Sequence, residues 1–259
     1  MVIVGARVPR TRPARPDGAG FWELFIFRSL GRIVYSRTVP KVQVMRDQYY
    51  EQLDLIVEEL VSITSLVRAA VADATVALLN ADTTVAQRVI DSGAAIDERV
   101  EEIEERTLVL LATQQPVASD LRQLVSTLRM IADLQRMSVL ALHVAKIARR
   151  RTPQVAVPEP VRHIIADMAL VADHMIESAS RIIADRDLGA AARLEVEDDE
   201  MDGLRRDLFR ALLGAEWTHG VEAAIDVALL GRYYERVGDH AVNMARRVVF
   251  LVTGEMPIA

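Results

Sequence analysis

The chain has 259 residues, a formal net charge of −6, no cysteine, and a composition that is 51% hydrophobic but only 5% aromatic. The missing cysteines exclude disulfides and thiolate metal sites, and no stretch reaches the ~18 consecutive apolar residues of a membrane span. Ala, Val, Leu and Arg dominate a body poor in glycine and proline, which favours helices over sheets.

Residues 1–44 carry eight basic and two acidic side chains, a net +6, leaving 23 basic and 35 acidic, a net −12, for the rest. An acidic body is a poor ligand for the DNA backbone, so no direct nucleic-acid binding is expected. The segment holds four of the nine prolines and lacks helical periodicity over "ARVPRTRPARPDGAG". Residues 1–44 are therefore expected to be disordered, or a misannotated extension ahead of a start at Met45; a basic arm or surface anchor is the alternative.

From Met45 the spacing predicts a first helix to about Asn80. Asp82 and Thr83 offer a cap for a second helix reaching about Thr113. A third runs from near Ser119 and Asp120 to Arg149–Arg151, where three cations suit the negative end of the helix dipole. Residues 153–159 then form a proline-rich linker. A fourth helix is expected over about 160–186, a fifth over about 190–213 and a sixth over about 219–253, with Thr218 as a candidate cap. Short turns imply antiparallel neighbours, so the fold class is all-α, with three-helix bundles over 45–152 and 160–259. Helices of about 30 residues run about 45 Å, so an elongated molecule is expected.

The two halves repeat. A shift of 100 places Leu124, Ile131, Gln135, Val139 and His143 on Ala224, Gly231, Glu235, Asp239 and Asn243. A shift of 105 places Val89, Gly93 and Asp97 on Leu194, Asp198 and Asp202. Both sets keep the 3–4 spacing of a buried stripe.

That spacing puts Glu235, Asp239 and Asn243 on one face of the sixth helix, and Asp198 and Asp202 on one face of the fifth. An ionised carboxylate facing a core costs several kcal/mol unless it is paired or binds a metal. Four carboxylates without sulfur favour Mg, Mn, Fe or Zn. The same pattern also serves a solvated face, or ordinary ion pairs with Arg205, Arg232 or Arg236. Glu216–His219 has a Glu-x-x-His spacing but stands alone in an expected turn, and His143, His174 and His240 are isolated. A metal-dependent carboxylate enzyme and a purely structural helical scaffold remain alternative readings.

The motifs "QPVASDLRQLV", "EDDEMD" and "YERVGDHAVNMA", in that order on a tandem repeat, resemble the PhoU family of phosphate-transport accessory regulators, and "ALHVAKIARRR" and "EWTHGVEAAIDVALLGRYYERVGDHA" resemble its actinobacterial branch. The resemblance covers about Met45 to Pro257. It implies a cytoplasmic, non-catalytic homodimer acting with the ATPase subunit of a phosphate ABC transporter and with a sensor histidine kinase. Membrane association would come only through those partners. Such proteins hold the phosphate-starvation response, a two-component signalling output, off when phosphate is plentiful.

The resemblance further implies divalent or trivalent metal (Fe, Zn, Mn or Mg) on acidic pairs of each half. Position by position, the pattern stands at Asp198 and Asp202 and at Glu235 and Asp239, with Asn243 continuing the line. It is lost at Gly93, Gln135 and Val139, leaving Asp97 alone. Metal is thus expected in the second repeat only, with the first-half positions a packing surface.

Overall fold

The computed structural model describes residues 39–255, with side chains from residue 46 onward. Residues 1–43 and Val44–Ala259 form separate units. Of the first, only the opening of a helix lies among the described residues, so the expectation for residues 1–38 falls outside them. Val39–Val44 are helical, so the first helix begins ahead of the boundary expected at Met45. Pro40 is tolerated there because the first turn has no intrahelical partner for its missing N–H.

Six helices follow in order: α1 Val39–Asn80, α2 Thr83–Gln114, α3 Ala118–Arg151, α4 Glu159–Asp185, α5 Leu188–Leu213 and α6 Gly220–Thr253, with no strand among the described residues. Asp82 caps α2 by accepting from the backbone N–H of Thr84 and Val85 at 2.9 and 3.0 Å. Asp187 does the same for α5 through Gly189 and Ala190. Each cap satisfies N–H groups that a helix start leaves without an intrahelical acceptor. Thr218 is not a cap: α6 starts after His219, which makes no side-chain capping bond. The turn before it is tied instead by the Trp217 indole N–H donating to Gly220 O at 2.9 Å.

Burial follows the helical period. On α1 the buried line is Leu53, Ile56, Leu60, Ile63, Val67, Ala70, Ala74 and Ala77; on α2 it is Ala86, Val89, Gly93, Ile96, Val100, Ile103, Thr107 and Leu110. Both lines step by three or four residues, which keeps one face toward the core. Helices α2 and α3 pack together, α4, α5 and α6 pack pairwise, and α3 lies along α6, joining the halves.

Polar contacts reinforce that joint. Arg68 of α1 donates twice to Asp173 of α4, both at 2.7 Å, the two-pronged geometry a guanidinium prefers. The hydroxyl of Tyr234, buried in α6, lies 2.8 Å from that of Thr75 in α1. Thr75 donates its own proton to Val71 O, so Tyr234 is the donor between the two. Burial pushes the Tyr234 phenol well above its ordinary pKa, keeping it neutral. Arg150 and Arg151 at the end of α3 both reach the buried carboxylate of Asp226 in α6, at 2.5 Å. The run thus clamps the second half as well as complementing its own helix dipole.

Candidate functional site

On α5 the inward positions run Leu194, Asp198, Met201, Arg205, Leu208 and Leu212. Leu194, Met201, Leu208 and Leu212 are buried and apolar. Asp198 and Arg205 interrupt the line, and both meet α6, which runs antiparallel. Glu195 pairs with Arg246, Arg205 pairs with Glu235, and Leu208 lies against Gly231, so the register holds along the helix pair. A Cβ on Gly231 would fall 2.5 Å from Leu208 Cδ2. The glycine is what lets the helices approach.

The side chains expected to hold metal separate into two environments. Glu235 is 7% exposed and takes two guanidiniums, Arg205 at 3.1 Å and Arg232 at 2.5 Å. Two cations compensate its burial. Asp198, Asp239 and Asn243, all half-buried, line a different space of about 320 Å³ together with Arg136, Arg236 and Arg246. A Cβ on Gly238 would lie 3.0 Å from Met175 Sδ, so this glycine makes room for the methionine of α4, while Asp198 Oδ1 at 3.7 Å is an ordinary neighbour. Burial raises the Asp198 pKa, the charges of Asp239 and Asp202 raise it further, and Arg246 opposes them. Asp202 is exposed, one turn beyond, and acts on Asp198 only through its field.

In the first half, Gly93 is buried, and a Cβ on it would meet Leu142 Cδ1 at 2.9 Å. The space of the missing acid is filled by leucine, as a packing surface requires. Gln135 and Val139 behave differently. Both are exposed, and with Asp97 they line a cavity of about 440 Å³. The second helix half supplies Arg232, Tyr233 and Arg236 to the same cavity. His143 is not solitary: its ring stacks on Tyr233 with centroids 5.4 Å apart. His240 is buried, with Nδ1 2.9 Å from Asp133 Oδ1. Asp133 and Asp226 were invisible to the repeat argument, because their partners lie on other helices.

Family models bear on what this geometry serves. A model described as the PhoU domain matches residues 60–148 and again 165–248, one copy on each half. The chain belongs to the PhoU family. It is 49% identical over 213 residues to the phosphate-specific transport system accessory protein PhoU homolog 2 of Mycobacterium tuberculosis, covering 82% of this chain and 100% of that one. It is 48% identical to PhoU homolog 1 of Mycobacterium leprae, over 82% and 96% of the two chains. Among solved structures, PhoU from Pseudomonas aeruginosa superposes with a TM-score of 0.73 at 27% identity, over 80% of this chain and all of that one. The phosphate transport system regulatory protein PhoU of Streptococcus pneumoniae, at 22% identity and TM-score 0.74, shares the fold. The tandem all-α repeat is therefore that of PhoU proteins.

The acidic side chains do not fit a multinuclear metal cluster in this arrangement. Among the described residues no three of His, Asp and Glu converge closely enough to hold a metal ion. Glu235, the most buried acid of the set, is already neutralised by two arginines. What the residues leave is a pair, Asp198 and Asp239, with the Asn243 amide beside it and a repulsion between the carboxylates that Arg246 partly offsets. No helix of the described residues is long and apolar enough to cross a membrane.

Proposed function

We propose that this protein is a non-enzymatic, cytoplasmic regulator of phosphate uptake. In this reading it forms a homodimer, contacts the ATPase subunit of a phosphate ABC transporter and a sensor histidine kinase, and represses the phosphate-starvation response when phosphate is abundant. The observation that carries it is the 49% identity to an accessory protein of the phosphate-specific transport system, with that relative matched along its whole length. The acidic body also suits basic patches on partners. Co-purification of the tagged full chain from cells grown in high and in low phosphate tests the contacts. Recovery of transporter and kinase subunits in a phosphate-dependent ratio supports the reading, and recovery of neither in either condition defeats it.

For metal, we propose a single hydrated divalent cation between Asp198 and Asp239, rather than a cluster. Two carboxylates and an amide oxygen suit a hard cation that keeps several of its waters. Metal analysis of the purified protein tests it. Bound metal should fall in Asp198→Asn and Asp239→Asn and stay unchanged in Glu235→Gln; equal loss in all three would place the ion on Glu235 and reject this site.

A further inference from the structure

One opening not yet assigned a role is the cavity of about 440 Å³ between α3 of the first half and α6 of the second. Its volume lies within the range of small-molecule sites, about 300–1,000 Å³. Arg136 and Arg236 occupy repeat-equivalent positions on the two facing helices, and both are exposed. Neither makes an ion pair or a hydrogen bond with another side chain among the described residues. The neighbouring arginines differ: Arg205 and Arg232 hold Glu235, and Arg246 holds Glu195.

Arg136 and Arg236 also border the acidic space that contains Asp198 and Asp239. On that side Asp198 and Asp239 set two carboxylates beside the guanidiniums. On the cavity side the corresponding positions are Gln135 and Val139, which carry no charge, and Asp97 is the single carboxylate of the lining. The loss of the acidic pair in this half therefore leaves two guanidiniums facing an opening that tolerates negative charge. Beside them the lining carries the stacked rings of His143 and Tyr233, which lie 23° from parallel, with the apolar side chains of Val139 and Leu140.

Guanidiniums bind phosphate oxygens through paired N–H donors, and an aromatic wall takes a ring by offset stacking. We propose that this cavity binds a nucleoside phosphate, with the phosphate held by Arg136 and Arg236 and the base against the His143–Tyr233 pair. The site does not depend on the adaptor role, and either can fail without the other.

The test is calorimetric titration of the full-length protein with AMP, ATP and inorganic phosphate, in buffer without added metal. At least one nucleotide should bind saturably. Arg136→Gln and Arg236→Gln should each weaken it about 10- to 100-fold, the range for losing a charged hydrogen bond. Tyr233→Leu should weaken nucleotide and leave inorganic phosphate unaffected. Both arginines are exposed and unpaired, so their variants should unfold at the wild-type temperature, which a melting curve verifies. Three outcomes overturn the proposal: no nucleotide binding at millimolar concentration, binding that the arginine variants retain, or inorganic phosphate binding as tightly as nucleotide with no effect of Tyr233→Leu.

Discussion

His240 of α6 and Asp133 of α3 meet at 2.9 Å, both buried, at the seam between the two repeats. A hydrogen bond placed there ties the halves through side chains that are largely shielded from water. Removing one member leaves the other without its partner, which costs about 1–3 kcal/mol. Asp133→Ala should lose that much in urea unfolding, and Asp133→Asn, which keeps an acceptor, should lose less. Equal stability of the alanine variant and wild type would mean the contact contributes nothing.

Glu235 should behave as a structural acid. Its two arginines are only partly buried, so Glu235→Gln strands cations that water can still reach. The loss should be about 1–3 kcal/mol, as for a broken charged hydrogen bond. Chemical denaturation checks this. A variant more stable than wild type would show that the carboxylate is under repulsion rather than neutralised.

Asp198 should show the opposite sign. Burial, then Asp239 and Asp202, raise its pKa in the folded protein. The native state then takes up this proton at a higher pH than the unfolded chain, whose carboxyl titrates near ~3.9. Ionisation of Asp198 lowers stability above the folded pKa, and that cost disappears below the unfolded one. Asp198→Asn should therefore be more stable than wild type near neutral pH, with the difference shrinking on acidification. Melting temperatures of both proteins across the acidic range measure it, and a difference that is negative or independent of pH contradicts it.

Placing an acid at Gly93 in the first half should be unfavourable. Leu142 fills the place where a side chain on Gly93 would go, so Gly93→Asp should destabilise by about 1–3 kcal/mol through overpacking. Combining it with Leu142→Ala should cost less than the two changes added, the mark of residues in contact. Additive losses in a double-mutant cycle would show that the leucine simply moves aside.

The helix order and most helix ends could be read from sequence because their causes are local. Asp82 sits next to the N–H groups it caps, and the 3–4 stripe is a property of each helix alone. The expected cap at Thr218 failed because the nearby Trp217–Gly220 bond settles that turn by other means. Asp198 and Glu235 lie on the inward lines of their helices, whereas Asp202 is exposed, and the counter-charges of the acids depend on which helix packs opposite and in what register. Arg205 was within reach, since it stands on the apolar line of α5 seven residues from Asp198. Asp226 and Asp133 were not, because Arg150, Arg151 and His240 lie on different helices with no sequence pattern to connect them.

The most direct test of the regulatory account is expression of phosphate-scavenging genes after deletion of this gene in its source organism. Mycobacterium tuberculosis carries both a homolog 1 and a homolog 2 of PhoU, so any second copy is deleted alongside. Growth in abundant phosphate should then leave those genes switched on, and re-expression of this chain alone should silence them. Genes that stay silent in the deletion strain, or stay active after the chain is restored, would contradict the account.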